Sequence, residues 1–315
     1  MKPDALVVGA GVIGLTSAVR LLEHGWRVRL WSADDPRRLT SAVAAALWYP
    51  YRIAPAERVH RWARATYERY LHLAGDPSTG VRLASATELW RTTPSELWAD
   101  PLFADVPRHP APSRPPYTGA LRLRLPVAET PRHLPWLWRR FYALGGRFER
   151  RWVAHLEEAL AAAELVVLAA GLGAGALVGD ATLVPVRGQV VRVANPGLEE
   201  VWLDLDPPEP GAVTYVVPRR DDVVLGGTAE EGRADTTADP AQTAAIRARC
   251  AALEPRLAAA PMLGVEVGLR PVRPAVRLEA EDHGGTRLVH NYGHGGAGWT
   301  VAWGCADEVV ALALR

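Results

Sequence analysis

Lysine is all but missing from this sequence: Lys2 is the only one in 315 residues, and arginine carries the remaining basic charge. The formal net charge is just +1, so no basic field points to a nucleic acid or an anionic membrane as partner. Cysteine occurs twice, at Cys250 and Cys305, which excludes a disulfide framework and any CxxC metal or redox motif. One bridge between those two is as open a reading as two buried free thiols. Asn, Gln and Met also occur twice each while Pro reaches 26, a bias that a thermophile and a GC-rich genome share. Long apolar runs are absent too. Ala5 to Val19 is broken by three glycines and bounded by Asp4 and Arg20, too short for a membrane span and wrongly flanked for a signal peptide. The expectation is a soluble, cytoplasmic chain. GxSxG, HExxH and P-loop motifs do not occur.

What is present is an ordinary globular composition, 49% hydrophobic and 23% charged, with enough length for two modest domains. Ala5-Leu6-Val7-Val8 is a short apolar run suited to a buried parallel strand. A glycine turn follows, then a helix with Ile13, Ala18, Leu21 and Leu22 on its apolar face, then a strand from Arg27 to Trp31. Glu164 to Ala170 reads as a later strand of the same sheet, and residues 55 to 139 as proline-rich and helix-punctuated. Val184 to Val193, Thr214 to Pro218 and Asp222 to Gly227 read as strands, the last two joined in a hairpin. The expected fold is α/β: a Rossmann-like dinucleotide-binding domain with a second, strand-rich α+β substrate domain. Chain order makes both discontinuous, with 1–50, 140–184 and 285–315 in the first and 51–139 and 185–284 in the second.

Gly9-Ala10-Gly11-Val12-Ile13-Gly14 matches GxGxxG with a strand before and a helix after, the context in which the motif is informative. Its glycines permit the tight turn, the approach of backbone to a pyrophosphate and close helix–strand packing, while the helix start offers N–H groups to phosphate. An acid for the ribose hydroxyls belongs about twenty residues on, and Asp34 is the candidate. The motif alone does not separate NAD from FAD. A second glycine cluster, HNYGHGGAGWTVAWG at 290 to 304, opens a terminal helix and offers another row of N–H groups. An elongated flavin dinucleotide needs binding at both ends, and a helix dipole favours the negative charge of a reduced flavin. His290 and His294 are spaced like metal ligands, but Gly293 between them and the lack of a third ligand nearby favour structural histidines, so no metal is expected.

These residues carry a resemblance. HNYGHGGAGWTVAWGCA at 290 to 306 resembles the C-terminal motif of the D-amino-acid oxidase family. VVGAGVIGL at 7 to 15, TSAVAAALWYPY at 40 to 51 and GLRPVRP at 268 to 274 fit the family in order, so the similarity spans almost the whole chain. The resemblance implies non-covalent FAD and oxidation of D-amino acids to imino acids, which hydrolyse to 2-oxo acids and ammonia while O2 becomes hydrogen peroxide. By position it implies that Arg270 grips the substrate carboxylate, aided by Tyr215, and that the carbonyl of Gly296 faces the amine. It places Gly293, Gly295, Gly296, Ala297, Gly298, Trp299 and Thr300 at the flavin, with Arg270 close to it. Thr40, Ser41, Ala45, Ala46, Leu47, Val153 and Ala170 surround the cofactor, and Tyr49 and Tyr51 belong to the pocket. A guanidinium suits its assigned task, since it pairs with a carboxylate in a bidentate fork.

Where eukaryotic relatives carry a lid tyrosine, four residues before the Tyr215 position, this chain has Gly211, which implies a more open entrance. The implied chemistry asks for positioning rather than a general base: hydride leaves Cα for flavin N5 once the amine is neutral. Neutral, apolar D-amino acids are the expected substrates. Arg52, Arg219 and Arg220 keep D-aspartate open, and glycine oxidase is a neighbouring alternative. From other classes, a nicotinamide dehydrogenase would use GxGxxG alone, and a flavin-binding protein would have no turnover. Monomer and homodimer are not separated.

Overall fold

A computed structural model describes residues 3–92, 101–205 and 208–314. In chain order, β1 (Asp4–Val8), α1 (Val12–Glu23) and β2 (Arg27–Ser32) are followed by α2 (Thr40–Val43) and α3 (Ala56–Leu73). β3 (Val81–Trp90), β4 (Arg108–Pro110) and β5 (Gly119–Ala128) lead to α4 (Thr130–Ala143), β6 (Arg147–Arg150), α5 (Leu156–Leu160), β7 (Leu165–Leu168) and α6 (Gly173–Val178). Then come β8 (Val184–Ala194), β9 (Val201–Asp204), β10 (Ala212–Pro218), β11 (Asp222–Thr228), β12 (Glu230–Glu231) and α7 (Pro240–Leu253). β13 (Met262–His283), β14 (Thr286–His294) and α8 (Gly298–Ala313) complete the chain.

One sheet runs through the molecule in the order β4-β5-β3-β9-β10-β11-β8-β13-β14-β7-β1-β2-β6, with β12 on β8 off that path. Its end β14-β7-β1-β2-β6 is wholly parallel. Leu6, Val7, Val166, Val167, Leu288 and Val289 are completely buried there, as strands covered on both faces require. The other end is mostly antiparallel, and the expected hairpin is present as β10–β11. β13 belongs to both ends. Its residues 262 to 272 pair with β8, and its residues 277 to 283 pair with β14 after a break in register between Val272 and Arg277.

Helices α1, α3 and α8 form the layer behind the parallel strands. The Thr16 hydroxyl of α1 reaches the Ala302 carbonyl of α8 at 3.1 Å, and the Tyr70 hydroxyl of α3 reaches the Trp299 carbonyl at 3.0 Å. Gly304 lets α3 and α8 touch backbone to backbone, since a Cβ there would stand 2.3 Å from the Trp62 Cα. The expectation that residues 55 to 139 are helix-punctuated misses β3 and β5, two ten-residue strands paired along their whole length. The two thiols do not bridge. Cys250 lies on the carbonyls of Tyr215 and Gly226, Cys305 lies 3.6 Å from His294 Nε2, and both are buried and free. Among the described residues, no helix is long and apolar enough to cross a membrane.

Candidate active site

The N-terminal glycines serve packing before they serve a ligand. Gly9 has φ 113°, and a Cβ there would lie 2.3 Å from the Ala169 carbonyl oxygen. A Cβ on Gly14 would lie 1.8 Å from the Gly9 carbonyl oxygen. These two close the β1–α1 turn against β7, the roles expected of the first and third motif glycines. Gly11 begins α1 with no side-chain cap, and the first turn holds no acid; Ser41 Oγ alone accepts an N–H there, from Val12 at 3.0 Å. α8 starts in the same way at Ala297, without a side-chain cap and without an acid in its first turn. The two helix starts meet: a Cβ on Gly298 would be 3.9 Å from Val12 Cγ1 and 4.0 Å from Ile13 Cδ1. Two uncapped N-termini side by side concentrate N–H groups and partial positive charge, a donor set that suits an anionic dinucleotide.

The surrounding loop is tied to both ends of the site. Thr40 donates to the Leu269 carbonyl at 2.9 Å, one residue before Arg270, and Trp299 Nε1 donates to the Ser41 carbonyl at 3.1 Å. Ala45 and Ala46 follow, Ala46 at φ 55° in the left-handed region, and Leu47 bridges to Val127. Ala10 is buried in the turn, and Ala170 Cα would stand 2.9 Å from a Cβ on Gly9. Val153 packs with Val8, Trp31 and Leu168. Asp34 is exposed two residues beyond the end of β2.

At the other end, Arg270 projects from β13 and donates from Nη1 to the Thr228 carbonyl at 2.9 Å. Among the described residues no carboxylate pairs with it. Its space exists because position 188 is glycine; a Cβ there would be 2.4 Å from Arg270 Nη1. Tyr215 on β10 faces Gly226 on β11, where a Cβ would be 1.8 Å from its Cζ. The Arg270 guanidinium lies near the Tyr215 hydroxyl; burial raises the pKa of this phenol and outweighs the lowering by Arg270, so it keeps its proton. A Cβ on Gly296 would touch Tyr51 Cδ1 and Arg270 Cδ, each at 3.4 Å, and the Tyr51 hydroxyl is buried without a hydrogen-bond partner among the described residues. A guanidinium and two phenols therefore converge beside Gly296. Gly188 and Gly226 were not legible as site residues, because a single glycine in an apolar strand reads as a bulge.

Several expected residues have partners within the chain. The Thr300 hydroxyl donates to the Tyr49 carbonyl at 2.8 Å and accepts the Tyr49 N–H at 3.1 Å, so it fixes the loop. Tyr49 in turn donates its hydroxyl to buried Glu88 at 2.9 Å. Burial pushes Glu88 up to about 7, with Asp204 adding to the rise and Tyr49 opposing it. His294 is buried against Cys305 and pushed down to about 3 by that burial, while His290 lies 3.3 Å from Glu281. Among the described residues, no three His, Cys, Asp or Glu side chains group to hold a metal. Gly293 and Gly295 have φ of 86° and 54°, and Gly295 N–H donates to the Pro271 carbonyl at 2.8 Å.

With this geometry, the family model for FAD dependent oxidoreductases matches residues 4–312. The chain belongs to the D-amino-acid oxidase family of FAD-dependent oxidoreductases. It is 51% identical over 312 residues to a D-amino-acid oxidase of Rubrobacter xylanophilus, an alignment covering 98% of this chain and 95% of the relative. It is 49% identical over 315 residues to a D-amino-acid oxidase of Streptomyces coelicolor, covering 98% and 96%. Among solved structures it is similar in fold to a glycine oxidase of Geobacillus kaustophilus, with a TM-score of 0.79 at 21% identity, covering 100% of this chain and 95% of that one.

Two predictions follow from the packing of this site. Gly188→Ala drives a methyl group into the Arg270 guanidinium, and loss of a charge-assisted contact of about 1.5–3 kcal/mol weakens binding of an aliphatic carboxylate about tenfold or more by calorimetry. Unchanged carboxylate affinity would show that Arg270 is not the anion grip. The second concerns Glu88, whose folded-state pKa is raised from 4.5 to about 7. Stability linked to its neutral form is full below 4.5 and is lost as pH rises through 7, so Glu88→Gln flattens the melting-temperature profile between those values. Parallel profiles for the two proteins would contradict the burial argument.

Proposed function

We propose that this chain oxidises neutral, chiefly apolar D-amino acids with FAD and O2, giving 2-oxo acids, ammonia and hydrogen peroxide. The observation that carries the reading is the Arg270 guanidinium, bonded to the Thr228 carbonyl and near Tyr215 with no carboxylate paired to it among the described residues, next to an uncapped helix start. A cation so placed calls for an anion, and its planar fork selects a carboxylate. Tyr215, protonated, donates a further hydrogen bond to the same group. Gly296 has no side chain, which leaves its backbone carbonyl to accept from the amine and the adjoining space to the substrate.

The residues that would hold the cofactor are the helix starts at Gly11 to Gly14 and Ala297 to Trp299, the 40–47 loop, Asp34, and the backbone at Val153 and Ala170. Bound FAD, held without a covalent link, supplies the two-electron acceptor that takes hydride from Cα and passes the electrons to oxygen. The chain's own contribution is positioning: carboxylate on Arg270 and Tyr215, amine toward Gly296, side chain toward Tyr51. Preference for neutral substrates is supported by Arg219, which is buried and already paired with Asp222 through two bonds of 2.7 Å. The D configuration is carried by the relatives' activity. A division of labour between the parallel end of the sheet, for cofactor, and the antiparallel end, for substrate, belongs to the same proposal, with β13 shared by both.

Arg270→Ala is expected to lose about a hundredfold or more in kcat/KM on neutral D-amino acids, as removal of a bidentate charged contact implies, while purifying with its flavin. Unchanged kcat/KM would remove Arg270 from the assignment.

A further inference from the structure

Arg270 and the Gly293–Gly296 turn lie on two strands whose pairing is interrupted where the substrate must fit. β13 and β14 are in register at Val272–His294 and again from Arg277–Tyr292 onward, with the shift between. The side chains bordering this break converge on one group outside both strands. Asp180 Oδ2 accepts Arg273 Nε at 2.8 Å and the Tyr292 hydroxyl at 2.9 Å. Arg273 belongs to β13 and Tyr292 to β14, so a single oxygen spans the break. Asp180 Oδ1 is held by Thr182, through its N–H at 3.0 Å and its hydroxyl at 2.6 Å. The carboxylate is therefore saturated, and its side chain is 8% exposed. Burial works to raise its pKa, but the bonds from Thr182, Arg273 and Tyr292 prevail and hold it well below the usual carboxylate range.

The two residues it grips bear directly on the site. A Cβ on Gly293 would press on Arg273 Cβ at 2.9 Å, so the Arg273 stem bounds the glycine turn. Arg273 Nη1 donates to the Ala275 carbonyl at 2.9 Å, inside the break, and Tyr292 accepts from Arg277 at 3.1 Å on its far side. Asp180 itself follows α6, its N–H bonded to the Gly175 carbonyl at 2.9 Å, so the anchor point belongs to the loop beyond β7.

We infer that Asp180 is a positioning residue for the oxidation: by tying Arg273 to Tyr292 it fixes the spacing between the carboxylate grip at Arg270 and the amine-facing backbone at Gly296. The inference rests on the proposed function and adds a residue that touches neither substrate nor cofactor. Its signature is a split. The Arg270–Tyr215 grip is built on β8, β10, β11 and β13 and survives loss of the tie, whereas the position of Cα relative to Gly296 does not.

The test uses the flavin-loaded full chain and the variants Asp180→Ala and Asp180→Asn. Asn keeps an oxygen that accepts from both Arg273 and Tyr292. Two quantities are read: kcat and KM on D-valine, and the calorimetric Kd of 3-methylbutanoate, which has the carboxylate and apolar tail but no amine. Asp180→Ala is expected to lower kcat about tenfold to a hundredfold, the cost of misplacement by about an ångström, while the 3-methylbutanoate Kd stays within about threefold. Asp180→Asn is expected to recover most of the lost kcat. An unchanged kcat in Asp180→Ala overturns the positioning role. So does a parallel loss of kcat, flavin and carboxylate binding without recovery in Asp180→Asn, which marks a purely structural residue. A wild-type protein inactive on D-valine and every other D-amino acid would instead sink the functional reading on which the inference rests.

Discussion

Arg270 brings a full positive charge to the middle of the sheet with a backbone carbonyl and a phenol as its neighbours. A partly buried cation without a carboxylate is costly, and a protein retains one where a ligand completes the pair. The strands around it are arranged to leave that position free. Gly188 removes the side chain that would fill the guanidinium's place, and Gly226 removes the one beneath Tyr215. Thr228 presents its carbonyl to Arg270, while its hydroxyl accepts the Gln189 N–H at 3.0 Å. Nearby carboxylates have partners of their own: Glu230 is held by Arg187 and Arg233, and Asp180 by Arg273.

The same logic of reserved positions applies to the two helix starts at the parallel end of the sheet. Helices α1 and α8 both start at glycine-rich turns without acidic or side-chain caps, and their starts face each other. By contrast, Asp239 caps α7 through the Ala241 and Gln242 N–H groups. What sets α1 and α8 apart is that their starts lie side by side, a pairing that suits an elongated anionic ligand needing binding at two points. β13 connects the two ends, carrying Arg270 in its first half and pairing with β14 in its second. The loop beyond β7 meets the same strand through the Asp180–Arg273 pair.

Much of this was legible in the sequence where a motif coincides with its secondary-structure context. The β1–α1 turn, the β10–β11 hairpin, the buried β7 and the glycine-rich start of α8 all follow from local pattern. β13 was not legible at its full length, because Pro271 and Pro274 punctuate it and a proline in a strand argues for a break. α7 has little amphipathic contrast, burying Ile246, Cys250 and Leu253 alone, so its periodicity is faint. The family resemblance assigns Tyr49 to the pocket and Thr300 to the flavin, but sequence does not encode where a hydroxyl points; here one goes to Glu88 and the other to a backbone. Gly188, Gly226 and Asp180 act across strands, at separations from their partners that no window along the chain can reveal.

The most direct test of the account is an anaerobic titration of the purified protein with D-valine, D-alanine, D-aspartate and glycine, followed by flavin absorbance. The account predicts a yellow protein whose visible band is bleached by the neutral D-amino acids, because reduction then depends on the carboxylate grip alone and needs no added nicotinamide. Bleaching by D-aspartate or glycine only would contradict the substrate class. A colourless protein, or a yellow one that none of the four reduces, would contradict the assignment of Arg270 and the two bare helix starts to a flavin oxidase site.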